Sequence, residues 1–399
     1  MPQHGVELNV AKKASDPAKY SFGPELSPAI PTLGHIFQGA GYRTPYFGKW
    51  HLSNTGDDDK ADLSRYGFED WRRPDHFGAP KEGLHFDSSF ADQTVAWLEA
   101  NGKQAPWFLT CSFVNPHDIC FFSRQAVPAS QVPDVCDRVP DNFNDDLKNK
   151  PRIQHEWRRL WGRLYGTEFM TEEKCRHYID FYYYLQLQVE AQIARVLDAL
   201  DRMDLAKDTL VLFFSDHGEM AGSHRLMTKG PFGYHENNQV PLIFRWPGRI
   251  PAGTVAKALA QSVDIFPTLL GLAGINYDCS RRPGKSLMPA IADHAVTGIN
   301  DHILMAWGFG RETFNRQTRI YLQPEVKVPA QIRAIYDGRY KFARYFDPGV
   351  PSEYELYDLV NDPLEMRNLA GDAGYEALRR EMEDRLREAE AGEMGPLVK

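Results

Sequence analysis

The chain has 399 residues, of which 42% are hydrophobic and 25% charged, and its mean hydropathy is −0.49. This composition is typical of a globular protein with a sizeable core, and no run approaches the ~20 apolar residues of a membrane helix. The net charge of −8 is spread along the chain, so the sequence offers no basic stretch suited to a nucleic-acid backbone.

The first two thirds of the chain alternate short apolar runs with stretches of helical periodicity, which is typical of a sheet with helices on both faces. A helix ended by Gly39 and Gly41 precedes the first predicted strand, and a long helix begins at Thr171 with an acidic first turn. Four strands are predicted from apolar runs, at 44–47, 107–114, 209–214 and 240–246.

Two stretches, 56–86 and 121–166, are aromatic, contain prolines and lack a clear period. They are too long for plain connections, so we expect irregular insertions that line a substrate entrance. Trp71, Trp157 and Trp161 within them could stack on a sugar ring or pack against the domain, and the sequence leaves both open.

The sequence pattern changes after about Leu304, where short segments of alternating apolar and polar residues begin. A hairpin is predicted around Asp337-Gly338-Arg339, with strands at 332–336 and 340–345, then a strand at 354–359 and a helix at 375–390. We therefore predict a main domain over residues 1–300 and a smaller α+β domain with an antiparallel sheet over residues 301–399.

Three polar clusters directly follow predicted strands, at 48–51 (Gly-Lys-Trp-His), 115–118 (Asn-Pro-His-Asp) and 215–219 (Ser-Asp-His-Gly-Glu). Ligands of open α/β sheets bind outside the carboxyl ends of the strands. The shared position of the clusters predicts that they converge on one site.

The residue types in these clusters suit metal and anion chemistry. Asp216 and His217 can offer an oxygen and a nitrogen to a divalent cation, although a capping aspartate beside a hydrogen-bonded histidine would look the same. Lys49 and Lys229 are candidates to hold an anion, and a histidine beside them could move protons near neutral pH. Taken singly, each could equally be a surface lysine or a structural histidine.

The ordered set of motifs resembles the formylglycine-dependent sulfatases of the alkaline-phosphatase superfamily over nearly the whole chain. The resemblance is carried by the following segments: 41–44 leading into 48–52, 115–117, 216–218 through His224 to 229–231, 240–243 with 246–248, 264–269, and 355–358 through 362–363. It implies an alkaline-phosphatase-like α/β sheet flanked by helices, and a sulfuric ester hydrolase acting on a sulfated carbohydrate or another organic sulfate.

The resemblance also implies roles for six residues. Asp216 and His217 would bind the cation, with His217 standing where many relatives have Asn. Lys49 and His51 would stabilise the nucleophile, while His117 and Lys229 would bind the sulfate ester and assist the departing oxygen. Calcium is the expected cation, and His217 would tolerate magnesium or manganese.

The nucleophile of this family is a formylglycine, which a formylglycine-generating enzyme makes from Cys or Ser in a C/S-x-P-x-R motif. That motif lies upstream of a segment that residues 1–5 (Met-Pro-Gln-His-Gly) resemble, so we expect this chain to start after it. Such a chain would be inactive, because it would lack the nucleophile and a pair of acidic metal ligands that the family carries on the first strand. It would also be less stable, because a central strand would be missing. Residues 120–124 (Cys-Phe-Phe-Ser-Arg) are a near match without the proline, more typical of a buried cysteine in an aromatic loop.

Two alternatives remain open from the sequence. Phosphonate and phosphate ester hydrolases share the fold, the cation and the histidines. A non-catalytic module could instead bind sulfated sugars through Lys49, Lys229 and the aromatic insertions. The five cysteines contain no C-x-x-C pair, so no zinc cluster is predicted, and the sequence indicates no cellular compartment.

Overall fold

The computed structural model describes residues 26–53, 63–72, 79–104, 106–124, 127–165, 170–280, 282–308 and 328–394. The helices in these ranges are α1 (Leu33–Gly39), α2 (Glu82–Asn101), α3 (Arg152–Tyr165), α4 (Glu172–Arg202), α5 (His235–Asn238), α6 (Ile265–Leu272), α7 (Met288–Ala292) and α8 (Glu376–Glu393). The strands are β1 (Tyr46–Gly48), β2 (Thr110–Ser112), β3 (Val211–Phe214), β4 (Leu242–Arg245), β5 (Ile303–Trp307), β6 (Gln331–Tyr336), β7 (Tyr340–Asp347) and β8 (Val350–Asp358).

Strands β1 to β4 form two pairs, and the same helices pack against both pairs. β1 pairs in parallel with β2, and β3 pairs antiparallel with β4. Phe108 and Leu212 pack on one side with α1 and α6, whereas Leu109 and Val211 pack on the other side with α2 and α4. All four predicted strands are confirmed within a few residues, as is the arrangement of helices on both faces.

The inner edges of β2 and β3 have no strand partner among the residues that the structure describes. At the end of β3, Phe213 is 39% and Phe214 is 49% exposed, which is high for large apolar side chains in a sheet. That a central strand of the sheet is missing from this chain stays a prediction.

The long predicted helix begins where its sequence signals place it. The Thr171 side chain accepts a hydrogen bond from Lys174 N at 3.2 Å, and α4 follows directly. Its buried face carries Phe181, Leu185 and Val189, at the spacing of one helical turn.

The irregular structure predicted for 121–166 is wrong at its end, because α3 occupies residues 152–165. Ile153, Trp157 and Leu160 recur at i, i+4 and i+7, and all three are buried. The arginines between these apolar residues interrupt the helical spacing, so the sequence of this segment does not indicate a helix clearly. Trp71 is buried as well, so Trp71 and Trp157 pack against the domain instead of facing a ligand.

The predicted C-terminal antiparallel sheet is confirmed, with the order β5-β6-β7-β8. Gly338 adopts φ 98° in the hairpin turn between β6 and β7, a conformation that favours glycine. Helix α8 covers one face through Met382 and Leu386, which pack against Phe342. The predicted domain boundary at residue 300 stays a prediction, and none of the described helices is both long and apolar enough to cross a membrane.

Buried polar groups join this sheet to the preceding part of the chain. Glu355 is 1% exposed and accepts hydrogen bonds from Tyr345 OH at 2.5 Å, Tyr357 OH at 2.7 Å and Gln154 Nε2 on α3 at 2.9 Å. Lys341 on β7 forms an ion pair with Glu365, which is also 1% exposed. These contacts fix the C-terminal sheet against α3.

Removing one partner of the Lys341–Glu365 pair should lower the stability of the folded protein. Lys341→Met leaves a buried carboxylate without its cation, so we expect the free energy of unfolding to fall by roughly 3 kcal/mol or more. Arg380→Met is the matched control, because Arg380 pairs with Glu376 on the exposed side of α8 and should cost less than ~0.5 kcal/mol. Urea unfolding of both variants measures the difference, and equal losses would contradict a buried ion pair.

Candidate active site

The first of the three polar clusters is fixed by a glycine at the end of β1. Gly48 has φ 102°, and a Cβ atom at this position would lie 2.0 Å from Ser112 O on β2. Lys49 N then donates to Ser112 O at 2.9 Å, which continues the parallel pairing. Trp50 is buried in the core, so the neighbouring side chains of Lys49 and His51 are left at the border of the sheet.

The second cluster lies at the corner after β2 and is held by Asp87 of α2. Asp87 is 3% exposed and accepts from Val114 N at 2.7 Å and from Asn115 N at 3.0 Å. Burial raises the pKa of Asp87 to about 7, and the two backbone N–H groups oppose that shift. His117 then begins a 3₁₀ helix that runs to residue 124, here called the 117–124 helix.

The third cluster follows β3. His217 Nδ1 lies 2.8 Å from Gly218 O, and because a carbonyl oxygen only accepts, Nδ1 carries the proton. Nε2 therefore presents its lone pair, at 3.6 Å from Asp216 Oδ2. Burial lowers the pKa of His217, with the Asp216 charge opposing it and the Lys229 charge adding to it.

Two side chains hold the backbone on either side of Lys229. Glu219 accepts from Thr228 N at 2.6 Å, and Asn237 Oδ1 accepts from Gly230 N at 3.1 Å. Asn237 is 2% exposed, and its Nδ2 donates back to Gly230 O at 3.3 Å. The position of Lys229 is thus set by the residues before and after it.

Glu219 also closes the loop that leads to Lys229. Its carboxylate accepts from Tyr178 OH at 2.9 Å and from Ala221 N at 3.2 Å, in addition to Thr228 N. Burial raises the pKa of Glu219, while these hydrogen bonds and the Lys229 charge oppose the shift. The loop from 219 to 228 is therefore closed by one interior carboxyl group.

The clusters converge around His117. Burial lowers the pKa of His117 well below its ordinary range, and the charges of the surrounding basic groups lower it further. Those groups are Lys229, Lys49, His217 and His51, in order of decreasing effect. His117 Nδ1 is buried and has no hydrogen-bond partner among the residues that the structure describes. The six residues predicted from the sequence thus lie within electrostatic reach of one another, with Asp216 linked to the group through His217, Lys49 and Lys229, and this group is here called the cleft.

Asp216 supplies the negative charge of this cleft. Burial by the surrounding protein raises its pKa, but the charges of His217, Lys49 and Lys229 outweigh burial, and the net shift is downward. The carboxylate itself opens to solvent, with 77% of the side chain exposed. Asp216 is therefore ionised and accessible to a ligand.

Asp216 and His217 fit part of a cation site. A carboxylate oxygen and an imidazole lone pair face each other at 3.6 Å, and both atoms are donors that a divalent cation accepts. Over the described ranges, no group of three or more His, Cys, Asp and Glu side chains is arranged to hold a metal ion. These two residues therefore provide an incomplete ligand set.

Other neighbours of the cleft were not predicted from the sequence. Cys120 lies on the 117–124 helix, and Lys229 Nζ donates to its sulfur at 3.5 Å, so this thiol borders the cleft instead of lying in a separate aromatic loop. Asp87, Glu219 and Asn237 act on backbone groups, and no motif or spacing marks that role. By contrast, His224 is fully buried and pairs with Asp145 at 2.6 Å, away from the cleft.

Comparison with known families identifies the chain. A model described as Sulfatase matches residues 10–275, and a second, described as N-sulphoglucosamine sulphohydrolase, C-terminal, matches residues 222–392. The chain belongs to the sulfatase family.

Individual relatives agree with this assignment. This sulfatase is 29% identical to the Delta 4,5-hexuronate-2-O-sulfatase of Bacteroides thetaiotaomicron, over 92% of this chain and 72% of that protein. The solved structure of a 2-O GAG sulfatase matches with a TM-score of 0.74 at 26% identity, over 97% of this chain and 78% of the other. The phosphonate monoester hydrolase of Agrobacterium radiobacter shares the fold, with a TM-score of 0.67 at 22% identity over 92% of this chain and 81% of the other.

The pKa of Asp87 predicts a pH dependence of stability. Because burial raises this pKa from 3.8 to about 7, the native state of the sulfatase binds one more proton than the unfolded chain between these values. The free energy of unfolding should fall as pH rises through this interval, by at most ~1.4 kcal/mol per pH unit, and this contribution should level off above it. Asp87→Asn should remove this slope in urea unfolding measured across the interval.

The control for this experiment is Asp92→Asn. Asp92 lies on the same helix and its side chain is 63% exposed, in an ion pair with Arg195. This variant should keep the pH slope of the unchanged protein. An unaltered slope in Asp87→Asn would show that Asp87 does not carry the proton.

Proposed function

We propose that this sulfatase hydrolyses sulfate esters of carbohydrates, with Lys49, His51, His117, Lys229, Asp216 and His217 as its site residues. The observation that carries the proposal is that two lysines and two further histidines, from the segments after β1 and β3, all act electrostatically on His117 in the segment after β2. The named sugar substrates of the relatives, a hexuronate and a glycosaminoglycan, support a sulfated carbohydrate.

The lysines would bind the sulfate group. Lys229 and Lys49 both act electrostatically on His117 and Asp216, so both charges reach the centre of the cleft. Fixed positive charge stabilises negative charge as it develops on the ester oxygens, and it needs no reorganisation during the reaction. His51, next to Lys49 along the chain, would orient the nucleophile.

His117 would deliver the proton to the departing oxygen. In the empty cleft, burial and the neighbouring cations lower its pKa. An anionic sulfate ester among those cations would offset their repulsion, so the pKa of His117 should rise when the substrate binds. The residue would then become a proton donor at the stage where the leaving oxygen needs one.

The cation proposed for Asp216 and His217 is calcium, with magnesium or manganese as alternatives. When bound, a divalent cation supplies additional positive charge to the sulfate oxygens and the attacking group. In this family the attacking oxygen belongs to a formylglycine made by a formylglycine-generating enzyme. We assign no described residue to that role.

Substitution of Lys229 tests the proposed function. In a form of the protein that also carries the family's C/S-x-P-x-R motif and is produced with a formylglycine-generating enzyme, Lys229→Ala should lower kcat/KM for a sulfated glycosaminoglycan disaccharide by roughly 10²–10³, because one fixed charge is lost. Lys207→Ala, at an exposed lysine that pairs with Asp204, is the matched control and should leave the rate unchanged. Sulfate release measures the rate. Faster hydrolysis of a phosphonate monoester than of the sulfated sugar would favour the phosphonate hydrolase alternative.

Substitution of His217 tests the proposed cation site. His217→Asn replaces a nitrogen ligand with an oxygen ligand, so affinity should shift toward calcium and away from manganese. Asp216→Asn removes the anionic ligand and should weaken both metals by more than tenfold. Equilibrium dialysis with each metal gives the affinities. Unchanged affinities in both variants would place the cation elsewhere.

A further inference from the structure

Cys120 and Lys229 are in contact at the border of the cleft, although they are 109 residues apart in the sequence. Lys229 Nζ lies 3.5 Å from Cys120 Sγ, with the lysine as donor. Both residues are of intermediate exposure, so the pair does not lie in the fully buried core. A nitrogen nucleophile is therefore held against a sulfur atom.

The contact is built into the fold on both sides. The backbone around Lys229 is held by Glu219 and Asn237 through the neighbouring N–H groups. Cys120 follows His117 by three residues in the 117–124 helix, and side chains at i and i+3 of a 3₁₀ helix lie on the same side. The thiol is thus directed toward the same cleft as His117, whose buried Nδ1 has no partner among the described residues.

The other cysteines have different surroundings. Cys175 is fully buried, with its sulfur 3.9 Å from Ala221 O, and Cys136 Sγ donates to Arg138 O at 3.1 Å. Cys111 lies on β2, where burial raises its pKa to about 12. The hydrogen bonds of Cys175 and Cys136 go to backbone carbonyl oxygens, whereas the hydrogen bond to Cys120 comes from the Lys229 side chain.

We propose that Cys120 and Lys229 form an oxidation-sensitive pair, which a hydroperoxide converts into a covalent sulfur–nitrogen link. In the first step, the thiol sulfur attacks the peroxide, takes one oxygen to become a sulfenic acid, and water leaves. In the second step, the neutral Lys229 amine attacks that sulfur, and a second water leaves as the S–N bond forms. The sulfur is oxidised by two electrons, the peroxide is reduced, and the protein loses two hydrogen atoms in total.

The link would be reversible and would inactivate the cleft. Two equivalents of a small thiol return the cysteine and the amine, and the small thiol is oxidised to its disulfide. While the link exists, Lys229 cannot present an ammonium group to an anion. Burial raises the pKa of Cys120 and the Lys229 charge opposes this, so the reaction should be slow near neutral pH and faster in mild alkali.

The experiment treats the full chain with hydrogen peroxide in mild alkali and digests it with trypsin. Linked protein should show a loss of two hydrogen atoms and a cross-linked product that joins the peptide containing Cys120 to the one containing Lys229. Cleavage after Lys229 should be blocked, because trypsin does not cut at a modified lysine. Dithiothreitol should restore both peptides. Fragmentation spectra distinguish Cys120 from Cys111, which lies in the same peptide.

Lys229→Arg is the matched variant, because it keeps the positive charge and removes the nucleophilic amine. It should give no link, and its Cys120 should proceed to the sulfinic acid, which adds two oxygen atoms and resists dithiothreitol. The proposal is overturned if Cys120 of the unchanged protein becomes sulfinic acid at the same rate as in Lys229→Arg, stays a thiol, or forms a disulfide with another cysteine. None of these readouts requires sulfatase activity.

Discussion

The grouping of two lysine charges with several histidines around His117 is the constraint that the rest of the site has to satisfy. Lys49, Lys229 and two histidines act on His117 at once, and burial strengthens their effect because little water screens it. Like charges held close together cost folding free energy, so other groups have to fix the chain around them. Under the proposed function, an anionic sulfate ester would offset the charges of Lys49 and Lys229.

The groups that oppose this repulsion lie behind the cleft, not within it. Asp87 and Glu219 are carboxyl groups that accept hydrogen bonds from backbone N–H groups, and the side chain of Asn237 accepts one as well. They fix the chain at the corner before His117 and on both sides of Lys229. Farther back, Asp145 pairs with His224, and Lys150 contacts both Asp145 and Tyr357 of the C-terminal sheet. The C-terminal sheet is thereby tied to the loop that ends at Lys229.

The sequence predicts the buried strands and helices well, because burial of one face gives the apolar residues a regular spacing along the chain. The four strands and helix α4 follow from such runs, and the placement of polar clusters after strands predicts the cleft. Helix α3 was missed because its arginines interrupt the apolar period. The roles of Asp87, Asn237 and Glu219 do not follow from the sequence, although Glu219 belongs to the predicted 215–219 cluster: each bonds to backbone far from its own position or across a loop, and no spacing encodes such a contact. The contact of Cys120 with Lys229 does not follow from the sequence, because the two residues are 109 positions apart.

The charge balance of the cleft bears on the choice between sulfate and phosphate esters. Two lysine charges face one ionised carboxylate, and burial keeps His117 and His217 on the neutral side of their titration. A sulfate monoester carries one negative charge, whereas a phosphate monoester carries nearly two at neutral pH. A modest excess of positive charge therefore suits the monoanion, and a bound cation would shift the balance toward more highly charged esters. Neutral His117 and His217 add no charge to this balance, and protonation of His117 on substrate binding, as proposed above, would add one positive charge beside the departing oxygen.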